Sequence, residues 1–139
     1  MEKKFAEIGI DIDDLDSEMI PLLHTLNFTL NLKTKYSCIG HHPNDPISVM
    51  FDESVEFLKL EQLSILLAEN NERIKGVANI KNNKFMYVSC SYWIRKPLGR
   101  QLLKNWTIKT DYENLIELER VSVVSEIRKI LLENADMFK

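Results

Sequence analysis

The stretch Met19-Ile20-Pro21-Leu22-Leu23-His24-Thr25-Leu26-Asn27-Phe28-Thr29-Leu30-Asn31-Leu32-Lys33-Thr34-Lys35-Tyr36-Ser37-Cys38 changes its hydrophobic period midway, and that change decides the fold class. Met19, Leu22, Leu23, Leu26 and Leu30 recur at helical spacing and predict one buried stripe. Asp16 or Ser17 stands at the N-cap, and Pro21 is tolerated in the first turn. Asn31 sits where the helix end needs a left-handed residue, with Leu32 folding back onto the last turn. From Leu32 the period becomes two. Leu32, Thr34, Tyr36 and Cys38 fall on one strand face, and Lys33, Lys35 and Ser37 on the other.

Working outward, residues 1–16 read as short, acidic and irregular, with Ile8, Ile10 and Ile12 alternating as in a brief edge strand. His41 to Pro46 reads as a loop, marked by Pro43, Asn44, Asp45 and Pro46. Ile47 to Phe51 predicts a second strand with Ile47, Val49 and Phe51 on one face. Ser54 is placed to cap a helix over 56–70, whose stripe is Phe57, Leu60, Leu63 and Leu67, supported by Leu66. Ile74 to Ile80 and Lys84 to Ile94 predict a hairpin about Asn82-Asn83, a pair suited to a two-residue turn. Pro97-Leu98-Gly99 ends it, and a short strand follows around Lys104–Lys109. Asp111 is expected to cap a long helical region to Asn134, with Leu115, Leu118, Val121, Ile127 and Leu131 inward and a kink at Val123-Val124. This order predicts a single α+β domain over 1–139: an antiparallel-rich sheet, helices mainly on one face, and a long C-terminal helix.

The 139 residues suffice for one ordinary core without metal or disulfide. A net charge of −3 excludes a strongly basic nucleic-acid binder and is too weak for a DNA mimic, although a local basic patch can bind phosphates. Two cysteines, Cys38 and Cys90, are too few for a disulfide framework and point to a reducing cytoplasm. Met1-Glu2-Lys3-Lys4-Phe5 leads straight into an acidic segment with no signal peptide, and no apolar run approaches the roughly 18 residues of a membrane span.

Chemistry-bearing residues concentrate at Tyr36-Ser37-Cys38-Ile39-Gly40-His41-His42. Gly40 permits close backbone approach, and successive N–H groups after the strand can form an anion-binding nest to which Ser37 and His41 add side-chain donors. The bland alternative is a tight turn with a buried cysteine and two solvated histidines. Cys38, His41 and His42 are metal-type ligands that Cys90 or Asp45 could complete, but no closing partner stands at a recognised spacing, so no metal is assigned. His41 is positioned in sequence to act as base for a Cys38 nucleophile, yet no third orienting group is evident, and the catalytic residues stay unknown. Lys33, Lys35, Arg95, Lys96, Arg100 and Lys104 form a basic strip if their strands are neighbours. Trp93 and Tyr92 beside it suit a nucleobase with its phosphate, and Ser89, Ser91 and Trp93 on one face suggest a polar groove. A solvated edge guarded by lysines is the competing reading. Trp106 reads as core, and His24 as surface or core edge.

The run Leu15-Asp16-Ser17-Glu18-Met19-Ile20-Pro21-Leu22-Leu23, followed by Tyr36-Ser37-Cys38-Ile39-Gly40-His41, resembles the tRNA wybutosine-synthesising protein 3 family. The resemblance extends in element order through Ile74-Lys75-Gly76-Val77, Phe85 to Pro97-Leu98, and the last helix. It implies that family's fold, tRNA modification by methyl transfer from S-adenosylmethionine, and a site around Ser37, Cys38 and Gly40. Two positions depart from the motif: Tyr36 replaces its first serine and His41 its arginine, and a histidine is neither a permanent nor a bidentate anion donor. Leu26-Asn27, Lys33-Thr34, Tyr36-Ser37-Cys38, Gly40-His41 and Ile47 to Phe51 also resemble small proteins of low-GC bacteria and their phages, a group that implies no activity.

Two functions follow as expectations. The first is binding, with or without modification, of a nucleoside, nucleotide or RNA ligand in a cationic cleft where Ser37, Cys38, Gly40, His41 and His42 meet Ser91, Trp93 and Arg95. The second is a non-catalytic phage protein that sequesters a nucleotide signal or inhibits a host defence protein. Neither requires a membrane, and both leave a protein partner and the oligomeric state open.

Overall fold

The computed structural model describes residues 2–42, 45, 47–77, 86–95, 101–110 and 116–139; for Glu2, Phe57 and the segments 86–95 and 101–110 it describes the backbone. The chain opens with helix α1 (Glu2–Glu7) and a 3-10 turn at Ile12–Asp14. This corrects the expected edge strand at Ile8 to Ile12. Phe5 is buried and packs edge-on against Phe28 with ring centroids 5.1 Å apart, and His24 lies beside both rings. Ile8, Ile10 and Ile12 are partly buried against the same core, so their alternation reflects a wrapped segment and not a strand.

Helix α2 (Ile20–His24) is entered through a 3-10 turn, Ser17–Met19, and continues into a π-helical turn, Thr25–Thr29. All five stripe residues, Met19, Leu22, Leu23, Leu26 and Leu30, are buried. Polar side chains take up carbonyls along its inner turn: Thr25 Oγ1 donates to Pro21 O at 3.1 Å and Asn27 Nδ2 to Leu23 O at 2.8 Å. Asn31 has φ +58°, and Leu32 N–H returns to Leu26 O at 2.8 Å, as the sequence predicts for this helix end.

Strand β1 (Thr34–Cys38) pairs antiparallel with β2 (Ser48–Phe51). The register slips between Thr34, opposite Phe51, and Tyr36, opposite Met50, so Lys35 is the extra residue of a bulge. A bulge shifts the phase of a strand by one residue. Ser37 therefore lies opposite buried Val49, while Tyr36 is 71% exposed. The unbroken alternation of Thr34, Tyr36 and Cys38 on one face is corrected accordingly. In β2 the expected face holds, with Ile47, Val49 and Phe51 buried.

Helix α3 (Phe57–Glu69) buries Leu60, Leu63, Leu66 and Leu67. Ser54 does not cap it; its hydroxyl donates to the Asp52 carboxylate at 2.5 Å. Of the strand expected over Ile74 to Ile80, residues 74–77 instead belong to helix α4 (Asn71–Val77), and 78–80 lie outside the described residues. Ile74 enters the core, and Arg73 reaches Glu126 and, through two bonds of 2.7 and 3.0 Å, Glu133. That pairing fixes α4 to helix α5 (Glu117–Glu133). The partner of strand β3 (Met86–Arg95) is instead the following strand β4 (Gln101–Thr110). The four strands lie in the order β1-β2-β4-β3, every neighbour antiparallel. The predicted Asn82-Asn83 turn, the Pro97-Leu98-Gly99 stop, Leu115 and the Asp111 cap fall outside the described residues.

Helix α5 runs unbroken through Val123 and Val124, both buried, which replaces the expected kink. Its buried stripe is Arg120, Val123, Val124, Ile127, Ile130 and Leu131, and Leu118 lies outside it at 72% exposure. The architecture is α+β, with several helices, an antiparallel hairpin and a long C-terminal helix.

Candidate functional site

Four consecutive backbone N–H groups follow β1, and each is bonded within the chain. Ile39 N–H donates to Asp16 Oδ2 at 3.0 Å and Gly40 N–H to Cys38 Sγ at 3.3 Å. His41 and His42 N–H both donate to Asp45 Oδ2, at 3.1 and 3.0 Å. The nest expected to hold an anion thus holds the Asp45 carboxylate. These bonds, the one from His41 N–H foremost, keep the Asp45 carboxyl below the usual carboxylate range.

The carbonyls of the same loop converge on one cation. Arg120, 3% exposed on α5, donates Nη1 to Ile39 O at 2.9 Å and to Asp45 O at 2.8 Å, and Nη2 to His42 O at 3.0 Å. A buried guanidinium needs such acceptors, and its planar fork spans several of them. Gly40 makes this fit. Its φ is +90°, and a Cβ built on it would stand 2.0 Å from Arg120 Nη1. The sequence reading gave Gly40 the role of admitting a ligand; the group it admits is Arg120.

Asp16 is the site residue that sequence reasoning missed. With Ser17 it is one of two candidate helix caps in the sequence, but it makes no side-chain cap bond to the turn it precedes. Its Oδ2 holds Ile39 N–H, and its Oδ1 lies 3.1 Å from His41 Nε2. Asp16 is thus the third group that the Cys38 and His41 pair lacked in sequence. Nothing in the spacing signals it, because 21 residues, a helical segment among them, separate Asp16 from Cys38. Among the described residues, Asp16, Cys38 and His41 bring a carboxylate oxygen, a sulfur and a ring nitrogen within 4.8 Å of one another. The buried Ser37 Oγ has no hydrogen-bond partner among the described residues. His42 is exposed.

Ser91, Trp93 and Arg95 lie on β3, and the sheet register does not bring them to this loop. Cys38 is opposite Ser48, Ser48 opposite Lys109, and Lys109 opposite Tyr87. Trp93 is opposite Leu103 and Arg95 opposite Gln101. From Lys109 to Leu103 is about 20 Å along the strand, and three strand spacings add about 14 Å across. Strand β1, which carries Lys35 and directly follows Lys33, and strand β3, which carries Arg95, are the two edges of the sheet, not neighbours. Lys35 is also paired, to Glu53 at 2.8 Å, and that bond raises its pKa. Cys90 sits on the far edge too, opposite Trp106, so its strand position does not complete a ligand set with Cys38.

The fold and loop define an α+β protein in which a strand-end loop is braced by a buried arginine from the last helix. The chain belongs to the YoqC prophage protein family, whose model matches residues 3–139. This match overturns the resemblance to the wybutosine-synthesising family, whose model does not match. The motif that suggested it is short, and its glycine and cysteine have local structural uses here. Comparisons with curated proteins and with solved structures give no match. Among the described residues no helix is long and apolar enough to cross a membrane.

Proposed function

We propose that this prophage protein acts as a non-catalytic binding protein that engages a host protein and inhibits it. The observation that carries this reading is the closure of the Cys38–His42 loop on its own chain. A phosphate would have to displace Asp45 from His41 and His42 N–H, and an oxyanion formed by Cys38 chemistry would meet N–H groups already bonded. Cys38 Sγ accepts Gly40 N–H, and the Asp16 contact occupies His41 Nε2, so neither group is set up as a nucleophile with its base. Membership of a prophage family supports an action on the host by association. Exposed apolar side chains give a partner something to bury. Leu58 and Ile65 lie two turns apart on α3, at 68% and 50% exposure, and Ile116 and Leu118 stand at the start of α5.

The test pairs small-ligand binding with partner capture. Calorimetry and thermal shift against S-adenosylmethionine, nucleotides, cyclic nucleotides and tRNA are expected to be silent, whereas affinity purification from the host should recover one stoichiometric protein. A ligand present at a hundred times its Kd would add about 2.7 kcal/mol to stability. Such a shift with any nucleotide, abolished by His41→Ala or Arg95→Ala, would overturn the proposal in favour of the nucleotide cleft.

A further inference from the structure

We infer that Asp16, Cys38 and His41 form a three-ligand site for a zinc-type divalent transition-metal ion. Their ligand atoms lie within 4.8 Å of one another, and one edge, Asp16 Oδ1 to His41 Nε2, is 3.1 Å. Oxygen and nitrogen ligands about 2.0–2.1 Å from a tetrahedral ion stand about 3.3 Å apart, so this edge is already at ligand spacing. A sulfur about 2.3 Å from the ion adds edges of about 3.6 Å, which the cluster reaches by closing little more than an ångström.

Each ligand is also held by a contact that ion binding would not break, and the Asp16–His41 contact is the one the ion would replace. Asp16 is fixed through its other oxygen, Oδ2, by Ile39 N–H. Cys38 is fixed by its pairing with Ser48, and its sulfur receives Gly40 N–H, a contact that suits a thiolate ligand. His41 is fixed through its own N–H by Asp45, and its ring is 61% exposed, which gives the ion a route in from solvent. The donor set of one sulfur, one nitrogen and one oxygen selects a borderline ion of the zinc or cobalt kind over magnesium or calcium, which take all-oxygen sites. Three protein ligands leave a fourth position for water or for a donor from a partner. The ion would tie the segment before α2 to the end of β1 and the loop beyond it. This inference stands apart from the binding reading, since either can hold without the other.

The test is a cobalt(II) titration of the full chain, reduced and freed of metal with a chelator. The expected result is one ion per chain, a thiolate-to-cobalt charge-transfer absorption, visible bands of four-coordinate intensity, and displacement by zinc. Cys38→Ser should abolish the charge-transfer absorption and Cys90→Ser should leave it. His41→Ala and Asp16→Asn should each weaken binding about tenfold or more. Asparagine at 16 retains an acceptor for Ile39 N–H, so a weakened Asp16→Asn with an unchanged urea midpoint separates ligation from folding. No saturable binding of cobalt or zinc up to millimolar concentration would overturn the site. So would an absorption that survives Cys38→Ser, or affinity that all three substitutions leave unchanged.

Discussion

Gly40→Ala tests whether the strand-end loop is built around Arg120. Two costs arise from one added methyl group. Alanine at φ +90° is in a region that non-glycine residues avoid, at a cost on the order of 1–3 kcal/mol. The methyl carbon would also stand 2.0 Å from Arg120 Nη1 and 2.9 Å from Cζ, so the guanidinium has to leave. Arg120 is 3% exposed and, among the described residues, donates three bonds, to Ile39, Asp45 and His42 carbonyls. Bonds to a charged donor contribute about 1.5–3 kcal/mol each, but three bonds from one group are not additive. A total of about 3–5 kcal/mol is therefore expected, measured as the shift of the urea midpoint at constant slope. The separation of the two costs comes from a double-mutant cycle with Arg120→Met. That substitution alone should cost about 3 kcal/mol, because it strips buried carbonyls of their donor. In the Arg120→Met background the collision is gone, so Gly40→Ala should add only its backbone strain. The two single effects should then exceed the double effect by about 2 kcal/mol. Additive effects, or a Gly40→Ala cost below about 1 kcal/mol, would refute the argument that Gly40 is kept small by Arg120.

Three further outcomes follow from the same geometry. Asn27→Leu should cost about 2–3 kcal/mol, since it leaves the buried Thr34 N–H without the Asn27 Oδ1 it meets at 3.0 Å; faster amide exchange at Thr34 is the local check, and unchanged exchange counts against it. Tyr36→Ser should change stability by no more than about 0.5 kcal/mol, because the bulge at Lys35 turns the ring to solvent; a loss typical of a core aromatic, about 3 kcal/mol or more, would restore the unbroken alternation. Acid should loosen the loop through Asp45, and urea midpoints across pH 5 to 2 read it. A carboxyl with a lowered folded pKa binds fewer protons than the unfolded chain, so its stabilisation is complete above the ordinary value of about 3.9 and is lost as pH falls through the lowered one. Asp52, lowered by the Ser54 hydroxyl, acts in the same direction, so Asp45→Asn should flatten the profile only in part.

The parts of the fold legible in sequence are those where one local pattern was unopposed. The stripe Met19, Leu22, Leu23, Leu26 and Leu30 needed only its 3.6-residue period, and Asn31 needed only its tolerance of positive φ. The expected strand from Ile74 misled because Ile74 and Val77 carry a β-branched signal that tertiary pairing overrides within helix α4. Arg73 gains Glu126 and Glu133 when the segment is helical, partners more than fifty residues away that no local window contains. Leu118 misled in the opposite way. Its apolar side chain predicts an inward position, while the stripe position belongs to Arg120, a residue that a hydrophobic pattern assigns to solvent.

That same arginine explains why the candidate site was half visible. A buried cation satisfied by backbone carbonyls has no sequence signature, since every residue supplies a carbonyl. Loop residues drew attention by their side chains, Cys38, His41 and His42, but the chain uses their backbone first. His42 enters the construction through its N–H and its C=O, and Gly40 through the absence of a side chain. What remains for external chemistry is the outward edge of the loop, where Asp16 meets Cys38 and His41. Bracing and exposure are therefore linked. Arg120 and Asp45 immobilise the inner side of the turn, and that rigidity holds the thiol and the imidazole of the outer side close enough to act on one atom together.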